Sequence, residues 1–118
     1  SYSGRLRQRS AIDLIRAVFP GGTITGCPKV RCMEIIEDLE PVRRSLFYGS
    51  CGYLDRRGNL DLNILIRTLL FGHTDRSLTT STVWGQVGAG IVADSDPSEE
   101  WQESLQKARA QLLALGLG

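Results

Sequence analysis

Two carboxylates near the carboxyl end of the chain have the spacing of a metal-binding pair. Glu100 and Glu103 stand at positions i and i+3, and Lys107 follows one turn later on the same face of a predicted helix. Paired carboxylates are ligands that a hard cation such as Mg²⁺ prefers. An acidic first turn also complements the helix dipole while remaining solvated, so the pattern leaves both interpretations open.

Arg67 and two glycines are the next groups that could hold an anion. Arg67 follows the most apolar predicted strand, on the face that carries Asp61 and Asn63. A guanidinium there suits either a structural ion pair or a bidentate clamp on a substrate carboxylate. Gly88 and Gly90 leave backbone amides unshielded, which permits either a close approach to a ligand anion or simply a tight turn.

Residues 19–37, FPGGTITGCPKVRCMEIIE, gather glycines, hydroxyls and a cation before a helix. Backbone amides at such a helix start favour anion binding, and Thr23, Thr25 and Lys29 lie close by in sequence. The alternative is a plain turn between two helices. The stretch lacks the Gly-Lys-Ser/Thr ending of a P-loop, and the single histidine, His73, falls in a predicted hairpin connection, where it provides no organised base for a hydrolase.

The helices that must position these groups follow from periodicity and capping. The sequence predicts a first helix over 10–18 and a second with Pro28 in its first turn, which Pro41 ends. A last helix starts at the N-cap Asp96, stops at Gly116 and should bury an apolar stripe.

Between the second and last helices the apolar period changes to that of strands. Alternating residues predict strands over 46–54 and 60–66, joined by the turn 55–59. After a connection over 72–77, a third strand is predicted over 78–87. We therefore expect an α+β fold in which helices pack on one face of a three-stranded antiparallel meander.

Composition limits the class of protein. The chain has 118 residues with a formal net charge of +1, which fits one domain and gives no field that would attract nucleic acid. Three cysteines without a CxxC pair indicate neither a zinc site nor a disulfide framework. Because no run of about 18 apolar residues is present, we expect a cytoplasmic protein without membrane contact. The polar opening without an initiator Met is typical of a piece of a longer chain.

Four ordered blocks of the sequence resemble the C-terminal part of the chorismate-utilising enzymes. The blocks are FPGGTITGCPKVRCMEIIEDLEPVRR, GYLDRRGNLDLNILIRT, GAGIVADSDP and EWQES. The resemblance extends over essentially all 118 residues and implies that residues 1–118 are the C-terminal portion of a chorismate-binding domain with an α/β/β/α fold. Within the family, FPGGTITG favours the aminodeoxychorismate (para-aminobenzoate) synthase component I branch, on the way to folate, over the similar anthranilate synthase component I.

The resemblance implies a role for each of these groups. The implied magnesium ligands are Glu100 and Glu103, and the implied contacts to the substrate are Arg67, Lys107, Thr23 and the backbone amides of Gly88 and Gly90. Lys29 belongs to the motif without an implied contact of its own. The implied reaction replaces the chorismate 4-hydroxyl by an amino group, with ammonia from a glutamine amidotransferase subunit.

The same resemblance limits what this chain can do alone. In the family, a second acidic metal pair lies upstream of the corresponding segment, and the aminodeoxychorismate branch also has a catalytic lysine there. We therefore expect this chain by itself to have little or no activity. Anthranilate synthase and isochorismate or salicylate synthase are the enzymatic alternatives. A non-catalytic module that binds the amidotransferase is an alternative of another class.

Overall fold

The computed structural model describes residue 4, residues 9–73 and residues 81–117. The chain divides into two compact units, Ser1–Ile64 and Leu65–Gly118. Each unit contains α-helix and one pair of antiparallel strands. The predicted α+β class is therefore confirmed.

The first helix, α1 (Ala11–Val18), begins as the sequence predicts. Ser10 is the N-cap, and its hydroxyl accepts a hydrogen bond from the backbone N–H of Asp13 at 3.2 Å. The Asp13 carboxylate in turn accepts from the backbone N–H of Ser10 at 3.1 Å. This reciprocal capping box satisfies two amides that a helix start would otherwise leave without partners.

The glycine-rich stretch is not a plain loop, because it contains a short helix, α2 (Gly22–Thr25). The following helix, α3 (Lys29–Leu39), has Pro28 as its N-cap and ends two residues before Pro41. Pro28 therefore stands one position earlier than predicted, just outside the helix. The apolar residues of α3 are only partly covered: Ile36 is half-buried, whereas Leu39 is 77% exposed.

The predicted hairpin is present with shorter strands. β1 (Ser50–Leu54) pairs antiparallel with β2 (Leu60–Ile64), in a register that runs from Ser50↔Ile64 to Leu54↔Leu60. β1 starts later than predicted because residues 46–49 form a turn, in which the Gly49 N–H donates to the Leu46 carbonyl at 2.9 Å. The predicted turn 55–59 joins the strands, with Gly58 at φ 84°.

The predicted three-stranded meander is wrong. β3 (Leu69–His73) pairs with β4 (Ser81–Gly85), so the described residues form two separate two-stranded sheets. β2 and β3 are divided at Arg67, whose φ of 51° is incompatible with a strand. Residues 74–80, part of the predicted connection and third strand, lie outside the described residues.

The last helix, α4 (Pro97–Ala114), also begins as predicted. The Asp96 carboxylate accepts hydrogen bonds from the backbone N–H groups of Ser98 and Glu99, at 2.8 and 3.1 Å. At the other end, Gly116 has φ 74°, and its N–H donates to the Leu113 carbonyl at 3.0 Å. A residue without a side chain suits this left-handed position after a helix, which explains the predicted stop.

Burial within the described residues is slight. Ala11, at 7% exposed, is the only buried apolar side chain among them. The apolar stripe predicted to be buried on α4 is largely exposed, with Trp101 at 62% and Leu105 and Leu112 each at 43%. No helix in the described part of the chain is long and apolar enough to cross a membrane.

Candidate functional site

Three of the predicted site residues come together beside α4. The Lys107 ammonium donates a hydrogen bond to the Gly88 carbonyl at 3.2 Å and forms an ion pair with the Glu103 carboxylate. The Lys107 side chain is 30% exposed and that of Glu103 is 52% exposed. The glutamate precedes the lysine by four residues, which is the favourable order for such a pair on a helix. The segment before α4 is thereby tied to the third turn of that helix.

Glu100 has a different environment from Glu103. One of its carboxylate oxygens, Oε1, accepts a hydrogen bond from the Ser95 hydroxyl at 2.9 Å, and that hydroxyl accepts from the Val92 N–H at 3.0 Å. The other oxygen, Oε2, is buried and has no hydrogen-bond partner among the described residues. A buried carboxylate oxygen without a partner carries a desolvation cost, which a bound cation would offset.

The two glutamates fit part of a Mg²⁺ site. Glu100 presents an oxygen that lacks a partner, and Glu103 can present one when it separates from Lys107. Mg²⁺ needs about six oxygen ligands in octahedral geometry and keeps several of them as water. In the parts of the chain that the structure describes, no group of three or more His, Cys, Asp or Glu side chains could hold a metal ion. The remaining ligands must therefore come from water, substrate or other protein segments.

Ser95 is a site residue that the sequence reasoning did not single out. It lies in the SDP segment, five residues before Glu100, and its hydroxyl joins that carboxylate to the backbone of Val92. Serine before a helix ordinarily indicates only a turn or a cap. Its position only five residues before Glu100, a predicted metal ligand, is the sequence feature that could have indicated its role.

Arg67 does not lie where the sequence placed it. It was expected at the end of a strand that includes Ile66, but β2 ends at Ile64 and Arg67 lies in a bend, exposed to solvent. Its guanidinium forms no ion pair within the described residues. A non-glycine residue at φ 51° carries backbone strain of about 1–3 kcal/mol, which is commonest at functional sites.

The two glycines before α4 differ from each other. The Gly88 carbonyl is engaged by Lys107, and Gly88 itself is half-buried. Gly90 is exposed, and a side chain added there would meet nothing within 4 Å. Steric crowding inside this chain therefore gives no reason for glycine at position 90.

Thr23 and Lys29 belong to the first unit. Thr23 is exposed in the middle of α2, whereas the neighbouring Thr25 hydroxyl donates to the Gly21 carbonyl at 3.3 Å. The Lys29 ammonium lies 3.5 Å from the carbonyl of Phe19, the C-cap of α1. Of the two, Thr23 is the group presented to solvent and Lys29 is the group that contacts the protein's own backbone.

Comparison with known proteins identifies the family. Residues 3–113 match the family described as chorismate binding enzyme. The chain belongs to the chorismate binding enzyme family, which confirms the family that the sequence resembles.

Individual relatives carry more than one enzyme name. The chain is 73% identical over 107 residues to the anthranilate synthase component I-like protein of Synechocystis sp.. It is 51% identical over 107 residues to aminodeoxychorismate synthase component 1 of Bacillus subtilis, and 46% identical over 113 residues to anthranilate synthase component 1 of Aquifex aeolicus. These matches cover 91%, 91% and 95% of this chain but only 21%, 21% and 22% of the relatives. The chain thus spans about a fifth of the length of the curated relatives it matches.

Proposed function

We propose that this chain is the C-terminal portion of the chorismate-binding domain of component I of an aminodeoxychorismate synthase. In the proposed reaction, ammonia from a glutamine amidotransferase subunit replaces the 4-hydroxyl of chorismate, giving 4-amino-4-deoxychorismate and water. Overall, a C–N bond forms at C4 and the C–O bond breaks, with the hydroxyl leaving as water. The activity belongs to a longer polypeptide, because the match covers about a fifth of the named relatives.

The observation that carries this proposal is the pair of carboxylates on α4. Glu100 has a buried oxygen without a partner, and Glu103 and Lys107 neutralise each other beside the Gly88 carbonyl. A dianionic substrate that arrives with a cation gives each member of the pair a new partner. Lys107 would be free to bind a substrate carboxylate, and Glu100 and Glu103 would be the residues that hold the cation.

Each remaining candidate has a distinct part in this scheme. Arg67 is solvent-exposed and contributes a planar fork that fits the enolpyruvyl carboxylate. Thr23 offers a hydroxyl, and the amides of Gly88 and Gly90 orient a carboxylate. When bound, Mg²⁺ supplies positive charge that orients a carboxylate and favours departure of the hydroxyl.

The choice of product rests on relatives with definite names. Identity to the Bacillus aminodeoxychorismate synthase component is 51%, against 46% for the Aquifex anthranilate synthase component. Anthranilate formation is the second candidate, because the Synechocystis relative at 73% identity is named as anthranilate synthase component I-like. The two reactions share chorismate and ammonia, so the product identity distinguishes them.

Chimeric enzymes test both candidates. This chain replaces the matching segment of the Bacillus component in one chimera and of the Aquifex component in another, and each is supplied with chorismate, ammonium and Mg²⁺. We expect conversion of chorismate in the Bacillus chimera, with 4-amino-4-deoxychorismate identified by chromatography. A folded Bacillus chimera that does not bind chorismate, beside an active Bacillus parent, would contradict the proposal. Better turnover in the Aquifex chimera, relative to its own parent, would favour anthranilate.

The non-catalytic alternative has its own measurement. The isolated chain is titrated with a glutamine amidotransferase subunit and, separately, with chorismate plus Mg²⁺. A tight stoichiometric complex with the amidotransferase, together with chimeras that fail to bind chorismate, would favour a binding module over a catalytic segment.

A further inference from the structure

Arg44 is the most highly connected side chain in the described part of the first unit. Its Nε and Nη2 atoms donate to the two oxygens of Glu40 at 2.9 and 2.5 Å, which makes a bidentate pair at the end of α3. Its third nitrogen, Nη1, donates to the carbonyl of Ile24 at 3.3 Å. The guanidinium carbon lies 4.9 Å from the centroid of the Tyr48 ring. One side chain therefore contacts three separate segments.

The surroundings of Arg44 hold it in this arrangement. Tyr48 stacks on Phe47, with ring centroids 4.0 Å apart, so the ring beneath the guanidinium is itself supported. The Arg44 side chain is 20% exposed, whereas the adjacent Arg43 side chain is 87% exposed and pairs with Glu37 on the surface. Partial removal from water strengthens hydrogen bonds and cation–π contacts relative to those of an exposed arginine.

The contact with Ile24 bears on α2. A helix of four residues is too short to be stable by its own hydrogen bonds, and its last carbonyls have no partners within the helix. The Ile24 carbonyl is one of these, and Arg44 supplies its donor. The local bonds of α2 run from Ile24 and Thr25 to the Gly21 carbonyl and from Gly26 to the Gly22 carbonyl. Arg44 joins α2 to Glu40 at the end of α3.

We propose that Arg44 is a positioning residue for α2. By joining Ile24 to Glu40 and Tyr48, it holds this short helix so that the Thr23 hydroxyl faces the substrate. The inference rests on the proposed function, because Thr23 matters only if chorismate binds beside it. Lysine cannot replace Arg44, since a single ammonium lacks the planar fork that reaches a carboxylate and a carbonyl together. Arg44 touches no reacting atom in this scheme and acts through α2.

Hydrogen exchange on the folded Bacillus chimera tests the positioning without any measurement of activity. We expect Arg44→Gln to speed amide exchange in residues 22–26 by roughly ten-fold, because a charged hydrogen bond and a ring contact are lost. Arg43→Gln is the matched control, since it removes the same charge one residue away from an exposed pair. If Arg44→Gln disrupts the whole chain, Arg44→Lys and Glu40→Gln provide milder losses of the same contacts. Equal exchange in the Arg43 and Arg44 variants would overturn the proposal.

A double-mutant cycle in the active chimera links the positioning to the substrate. Arg44→Lys should lower kcat/KM for chorismate by about ten-fold, while Arg43→Gln leaves it unchanged. Combined with Thr23→Ala, Arg44→Lys should cause almost no further loss, because the hydroxyl that it positions is gone. Independent, additive losses would show that Arg44 only supports the fold. Altered exchange in an inactive chimera would instead contradict the proposed function while leaving the anchoring of α2 intact.

Discussion

The starts of α3 and α4 differ in whether a side chain accepts hydrogen bonds from their first backbone amides. Each helix begins with amides that lack partners within the helix. At α4, the Asp96 carboxylate accepts from two of these amides, and Glu99 and Glu100 add negative charge in the first turn. At α3, Pro28 is the N-cap, no side chain caps the amides, and no acidic residue lies in the first turn.

This difference determines which ion each helix start can accept. The amides and positive dipole end of α3 remain available to an anion, with Lys29 as the first helical residue. At α4 the amides are already satisfied by Asp96, and the outward-directed charge is that of carboxylates, which attract a cation. The two helix starts thus differ in charge: α3 has backbone amides without a side-chain cap, whereas α4 has capped amides and two first-turn carboxylates.

The largest expected effect comes from removing the cation-receiving charge of α4. In the active chimera, Glu100→Gln should lower turnover by about 100-fold and raise the Mg²⁺ concentration needed for half-maximal rate, because a neutral amide is a poor ligand for a hard cation. Glu99→Gln is the control, since Glu99 is an exposed carboxylate in the same turn. Retained turnover and unchanged Mg²⁺ dependence in the Glu100 variant would exclude the metal site.

A second substitution tests the backbone at Gly26, two residues before the N-cap of α3. Gly26 has φ 92°, and a Cβ there would lie 2.8 Å from the Cys32 Sγ. Gly58 has φ 84° but open space around it, so it reports the backbone cost alone. We expect Gly26→Ala to reduce the free energy of unfolding by about 2–4 kcal/mol and Gly58→Ala by about 1–2 kcal/mol, as measured by urea titration of the chain. Equal losses at both positions would mean that Cys32 does not constrain the chain before α3.

A third substitution removes the cap of α4. Asp96→Ala should reduce the free energy of unfolding by about 1 kcal/mol, because two backbone amides lose their acceptor. Asp96→Asn keeps an acceptor oxygen and should cost little. Urea titration compares the two variants. A loss of the same size in both would assign the stabilisation to charge at the helix dipole rather than to the cap.

The smallest effect concerns Asp55, whose carboxylate accepts hydrogen bonds from backbone amides in the turn 55–59. The Asn59 side chain and backbone, followed by the amides of Arg57 and Gly58, hold the pKa of Asp55 below its ordinary value. Because the folded-state pKa is the lower one, this stabilisation is fully present above the ordinary carboxyl pKa of about 3.9 and is lost as the pH falls through the folded-state pKa.

NMR titration of the Asp55 carboxyl measures this shift directly. In Asn59→Ala the side-chain donor is absent, so the pKa of Asp55 should rise toward its ordinary value. An Asp55 titration that Asn59→Ala leaves unchanged would remove the side-chain contact as the main cause.

Much of the local structure could be predicted because it depends on residues close together in sequence. The Ser10–Asp13 capping box, the Asp96 cap and the turn at 55–59 each involve groups no more than four residues apart. The i, i+4 pairing of Glu103 with Lys107 follows from helix geometry in the same way. Such interactions can be predicted from the spacing of the residues alone.

The sheet arrangement could not be predicted by the same rules. The apolar alternation of β2 continues into residues 65–66, so the sequence gives no sign that the strand ends at Ile64. Residues 65–68, with Arg67 at φ 51°, separate β2 from β3, and β3 then pairs with β4, the next strand along the chain, rather than with β2. Strand pairing of this kind depends on which partners meet in three dimensions.

The sequence by itself determined the helix starts, the hairpin turn, the family and the carboxylate pair on α4, because each depends on short spacing or on ordered motifs. Only the tertiary structure showed that Lys107 reaches the Gly88 carbonyl, nineteen positions away, and that Arg44 reaches Ile24, twenty positions away. Contacts over such separations form when the chain returns to a particular place, and no local pattern records where that return occurs. Spacing therefore identified the charged groups, and folding decided their partners.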